Sequence, residues 1–146
     1  MQASKDIVFD YQDALELARE LYAVADQLEG TLRARSTQAG EAQAGFSGPH
    51  ADTFAAWVAR EVADGHALAA ALRSDAALCA QAWKKAMDDE NRVIYGRHVD
   101  RLKKQRSGLT TVWEDRFGYH YPPEPDPVPI PQPPVFAETA GFVHYS

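Results

Sequence analysis

The sequence predicts an all-α fold: an antiparallel helical hairpin that pairs into a four-helix bundle and ends in an extended Pro-rich C-terminal tail. Three observations predict it. Apolar residues recur at steps of three and four along two long stretches, a cluster of Gly, Ser and Gln separates those stretches, and eight of the nine prolines crowd into residues 122–134.

The first helix is read over about 8–36. Val8, Tyr11, Leu15, Ala18, Tyr22, Ala25 and Leu32 form one apolar stripe, with Glu29 in its single missing position. Ala14, Leu21 and Leu28 widen that stripe, while Gln12, Glu16, Arg19, Glu20 and Gln27 mark the opposite face. A loop follows over about 37–48, where Gly40, Gly45 and Gly48 lie among Ser36, Thr37, Gln38 and Gln43. Pro49 after Ser47-Gly48 suits a first helical turn behind a cap, so the second helix begins there. It is read over about 49–104 on Phe54, Val58, Val62, Ala69, Leu72, Ala76, Cys79, Trp83 and Ala86/Met87, with Gly96 as its weak point. Residues 1–106 therefore make the hairpin.

Residues 107–121 read as a short aromatic segment around Val112, Trp113 and Phe117. Residues 122–146 form the tail. Pro-x-Pro alternation forbids helix or central strand and favours a semi-rigid polyproline-II segment. Phe136, Phe142, Val143 and Tyr145 are too apolar for a plain spacer and read as a peptide that docks somewhere. With the boundary near Ser107, deletion of the Pro-rich tail is expected to leave helicity nearly unchanged.

Composition narrows the function. A net charge of −6 argues against a chain that neutralises phosphates, so no nucleic-acid partner is expected. Arg92, Arg97, His98, Arg101, Lys103, Lys104 and Arg106 form a cationic run that a helix C-terminus favours electrostatically. Asp88-Asp89-Glu90 beside Lys84-Lys85 reads as a solvated face with local pairing. Five scattered histidines and the single Cys79 offer no metal-ligand spacing, and no nucleophile, phosphate-loop or dinucleotide motif occurs. No catalytic residue, metal or cofactor is assigned, and the chain reads as non-enzymatic. Cys79 falls on the core stripe as a small apolar residue. No apolar run spans a bilayer and the N-terminus lacks a signal-peptide pattern, so the chain is expected in the cytoplasm unless a specialised machine exports it.

An alanine-rich hairpin has a thin core, and two helices cannot each bury a whole stripe against the other. Trp57, Leu68, Leu72 and Trp83 are therefore the candidates for a dimer interface.

Helix, turn and long helix around Phe46-Ser47-Gly48-Pro49-His50-Ala51-Asp52-Thr53-Phe54 resemble the WXG proteins, the Esx-like family of type VII secretion. Phe46 stands at the tryptophan position and Gly48 at the glycine position, and Ala51, Phe54 and Trp57 fit those that follow. The turn motif is thus Phe46, Gly48 and Phe54, and the likeness covers roughly residues 5–95. It implies a homodimer or heterodimer with another WXG-like hairpin, and a role as substrate or targeting partner in type VII secretion. It implies contact with the secretion machinery or a larger effector, and a route from the cytoplasm to the cell surface or medium. The family's Tyr-x-x-x-Asp/Glu signal after helix two is not met: Tyr95 to Asp100 is one residue too long, and Tyr22 to Asp26 lies inside helix one. A partner that carries the signal is therefore expected. The competing reading is a cytosolic scaffold or adaptor whose Pro-rich tail binds a groove-type partner.

Overall fold

The computed structural model describes residues 8–106 and 121–146. The aromatic segment around Val112, Trp113 and Phe117, together with the polar N-terminal residues, lies outside the described residues. Among those described, the architecture is two long helices packed against each other, with no strand.

Helix α1 runs from Tyr11 to Ala44 and helix α2 from Pro49 to Gln105. Asp10 caps α1, its side chain accepting a hydrogen bond from the Asp13 N–H at 3.0 Å. Val8 therefore lies ahead of the helix and is exposed. The first helix continues through Gly40, so the connection is Gly45–Gly48 rather than the longer loop expected from 37 onward. One mid-helix glycine costs only about 1 kcal/mol, and the alanines around it support helix well. Gly96 likewise fails to end α2.

Gly48 caps α2 at φ 102°, ψ −174°, a backbone region reserved for glycine, and Pro49 occupies the first turn behind it. A Cβ added at Gly48 would meet no atom, so its requirement is one of backbone alone. Gly48→Leu is expected to destabilise the hairpin by about 1–3 kcal/mol, read as a lower denaturant midpoint. An unchanged midpoint would show that the turn adopts another backbone path.

The stripes meet as their spacing predicts. Leu15, Ala18, Ala25 and Leu32 of α1 are buried, as are Ala69, Ala76, Trp83 and Met87 of α2. Small residues bring the helices close together at one crossing. A Cβ built on Gly65 would lie 2.5 Å and 2.6 Å from the two Leu32 methyl carbons, so the glycine admits the Leu32 side chain.

The helices differ in length. At 1.5 Å per residue, α2 extends about 85 Å and α1 about 50 Å, which leaves the C-terminal part of α2 without α1 beside it. Residues 121–146 fill that place. They form neither helix nor strand, turn at 133–135, and include a cis Pro133–Pro134 bond. Val128, Pro131 and Phe136 are buried in this segment, and the first and last join Leu15, Ala18, Ala76, Ala80, Trp83 and Met87 in one core. The core therefore crosses the division that the sequence places near Ser107: the tail is a strap over the open ends of the hairpin.

Candidate interaction surfaces

Two surfaces differ sharply in how they are covered. The strap covers the hairpin near the N-terminus of α1 and the C-terminal half of α2, and the half that ends in the Gly45–Gly48 turn is bare.

The bare half holds most of the residues singled out in the sequence. Phe46 is 49% exposed at the turn, and with Glu41, Ala42, Gly45 and the half-buried Phe54 it lines a shallow depression. Trp57 is 70% exposed and Leu68 54%. These two lie eleven positions apart, which returns them to nearly the same side of α2. Leu72 is half-buried. None of residues 33–68 is buried, although Phe54, Val58 and Val62 continue the inner stripe of α2. On one flank, Ala39 and Gly40 of α1 face Ala55, Val58, Ala59 and Val62 of α2 across an open groove of small side chains.

Trp83 is placed elsewhere. It is fully buried in the chain's own core, with the Tyr11 ring edge-on at 6.5 Å, so it cannot meet a partner helix. Periodicity assigned Trp83 to the apolar stripe but could not show that the strap would cover it.

Charge pairs hold the helices in register on either side of the Leu32–Gly65 crossing. Arg73 donates to Asp26 at 2.7 Å and to both Glu29 oxygens at 2.7 Å and 3.0 Å. Its guanidinium also lies 5.3 Å from the Tyr22 ring centroid. The hydrogen bonds from Arg73 hold the Glu29 carboxyl below its ordinary value. Glu29 thus fills the one polar position of the first stripe because a cation on α2 meets it there. Arg35 pairs with Glu61 nearer the turn.

The strapped half is built from side chains that bind a main chain. Alternating prolines remove N–H groups, so the strap cannot pair as a strand, and its remaining polar atoms need other partners. Asp88 accepts from the Val128 N–H at 2.8 Å, and Asn91, 2% exposed, accepts from the Val143 N–H at 3.1 Å. Arg19 donates to the Val135 and Phe136 carbonyls at 3.2 Å and 3.3 Å, and the Tyr95 hydroxyl donates to the Pro122 carbonyl at 2.8 Å. Aromatic rings anchor the same segment: Phe136 meets Tyr22 edge-on at 5.9 Å, Phe142 meets Tyr11 at 5.3 Å, and Tyr145 stacks on His98 at 4.5 Å. The apolar C-terminal residues do dock, and they dock on their own hairpin.

Asp88 links this site to pH. Burial pushes its carboxyl upward, but the hydrogen bonds from Lys84 at 2.6 Å and from Val128 outweigh it and hold the group below its ordinary value. A carboxyl whose value is lowered by folding adds stability above the ordinary range near 4, and that contribution fades as pH falls through the folded value. The Val128 amide resonance is thus expected to titrate below about pH 4 as the strap loosens. Asp88→Asn should remove that titration; an unaltered acid profile would assign the effect to another group.

Cys79 is half-buried on the stripe, and burial raises its thiol above the ordinary value, which keeps it protonated and poorly nucleophilic near neutral pH. Among the described residues, no group of three or more His, Cys, Asp or Glu side chains is placed to hold a metal ion, and no helix is long and apolar enough to cross a membrane. Comparison of the chain with protein-family models, with curated proteins and with solved structures found no match.

Proposed function

We propose that this chain is a non-enzymatic interaction protein that pairs through the bare half of its hairpin with a second WXG-like hairpin, completing a four-helix bundle. One observation carries the reading. The half of the hairpin from 33 to 68 buries no residue, yet it presents Phe46, Phe54, Trp57, Val58, Val62 and Leu68. Large apolar side chains clustered at one end of an otherwise strapped hairpin mark a surface that gains by meeting a partner. Trp57 and Leu68, close together on one side of α2, supply large exposed anchors for that partner.

The turn supports the family likeness. Phe46-Ser47-Gly48 connects the helices directly, and Gly48 holds a conformation that demands glycine. On this reading the chain is a type VII (Esx) substrate or the targeting partner of one, made in the cytoplasm and exported with a partner that supplies the signal. The adaptor alternative relies on a Pro-rich tail available to other proteins. Burial of Val128, Pro131 and Phe136 on the chain's own helices weighs against it.

The test is co-expression with hairpin proteins encoded beside this chain, with the complex sized by light scattering and the culture supernatant assayed. A 1:1 complex is expected, and Trp57→Asp with Leu68→Asp should weaken it at least about tenfold while circular dichroism stays unchanged. A complex that forms equally well with both substitutions would overturn the assigned surface. A chain that pairs with no hairpin and never leaves the cell would sink the secretion role.

A further inference from the structure

We infer that the strapped half of the hairpin is a recognition groove for an extended, proline-rich segment, and that residues 121–146 of a second copy of this chain can occupy it in place of the chain's own. This groove lies at the other end of the hairpin from the surface proposed above and does not depend on that reading.

Three features carry the inference. The contacts have the chemistry of peptide recognition: Arg19, Asp88, Asn91 and Tyr95 all bind main-chain atoms, two accepting from N–H groups and two donating to carbonyls. Asn91 is a buried polar side chain whose acceptor is met by the Val143 N–H of the strap. Anchors at spaced positions, Val128, Pro131 and Phe136, then select the sequence, with alternating prolines keeping the segment extended before it binds. Bonds to the main chain give affinity, and the anchors give specificity.

Chain length makes exchange possible. The Arg106 guanidinium donates to the Tyr121 hydroxyl at 3.2 Å, so the strap starts beside the C-terminal end of α2, and fourteen residues of sequence separate the two. Fully extended, that many residues reach roughly 50 Å, enough to carry a strap to the groove of a neighbouring molecule. Within one molecule the connection raises the effective concentration of the strap, so self-occupancy prevails in dilute solution and exchange grows with concentration. The geometry within the groove is the same in either arrangement.

The experiment uses full-length chains. Phe136→Asp removes the central anchor of the chain's own strap, and a fluorescently labelled peptide of residues 121–146 with the natural sequence probes the vacated groove. The peptide is expected to bind the Phe136→Asp chain at least about tenfold more tightly than the unmodified chain, whose groove is filled. A peptide carrying Phe136→Asp should bind neither. Mixing the Phe136→Asp chain with a groove-defective Asp88→Lys/Asn91→Leu chain should give a 1:1 dimer by light scattering that neither forms alone. Absence of peptide binding by a helical Phe136→Asp chain would overturn the proposal, as would a mixture that stays monomeric. Should Phe136→Asp lose helicity, the natural peptide must restore it in circular dichroism; failure to do so would overturn the proposal as well.

Discussion

Replacement of Trp83 by alanine is expected to cost about 3–5 kcal/mol, a large share of the stability of a domain this size. Trp83 is 0% exposed, and it joins elements that are far apart in sequence. Leu15 and Ala18 come from α1, Ala76, Ala80 and Met87 from its own helix, and Val128 and Phe136 from the strap. Half of the other buried positions in the helices are alanine, which leaves little volume nearby to collapse into the cavity. Trp83→Phe separates packing from polarity. The indole N–H has no hydrogen-bond partner among the described residues, and an unpaired buried donor itself costs about 1–3 kcal/mol. Phenylalanine keeps a ring and removes that donor, so it is expected to cost less than about 1.5 kcal/mol. Thermal and chemical unfolding would check both values. Equal losses for Ala and Phe would show that the N–H is satisfied and contributes to stability.

The helices were legible because burial in a hairpin repeats with the helical turn. Leu15, Ala18, Ala25, Leu32, Ala69, Ala76, Trp83 and Met87 can be read as core from spacing alone, and all are buried. Glu29 interrupts that spacing, and its partner Arg73 sits on another helix, where one-dimensional periodicity carries no information. Gly40 read as part of a loop because glycine breaks helices in isolation, whereas its alanine-rich neighbours sustain α1 to Ala44. The strap was harder. Proline alternation announces an extended chain, and the aromatics after it announce docking, but nothing local names the surface. Asp88 and Asn91 read as ordinary polar positions on a long helix, yet they bond to residues 40 and 52 positions away. Of the interface candidates, Trp57 and Leu68 lie exposed on the bare half and Trp83 lies beneath the strap. Trp83 lies on the apolar stripe, whereas Trp57 and Leu68 flank it, so helix face and the reach of the strap together divide them, and the strap is a tertiary fact invisible to the pattern.

Removal of residues 121–146 is therefore expected to unfold much of the strapped half, in contrast to the near-neutral outcome that the sequence division implies. Deletion strips the cover from Trp83, Leu15 and Met87 and discards the burial of Val128, Pro131 and Phe136. Each large apolar side chain returned to water forfeits about 1.5–3 kcal/mol, and the exposed core residues add to that sum. The deletion also leaves Asn91 and Asp88 without the strap's N–H donors. Losing several such contributions should lower the thermal midpoint by about 10 °C or more for a chain of this length. The loss should also be uneven. Amides near Tyr11 and beyond Trp83 are expected to exchange far faster, while those around the Leu32–Gly65 crossing, held by Arg73 with Asp26 and Glu29, retain more protection. Phe136→Ala tests the same interaction without shortening the chain and should cost about 3–5 kcal/mol. A truncated chain with full helicity and an unchanged midpoint would mean that the two helices suffice and the strap only rests upon them. The burial of Trp83 makes the opposite result the expected one: an aromatic side chain of that size stays dry in a two-helix hairpin only when a third element closes over it.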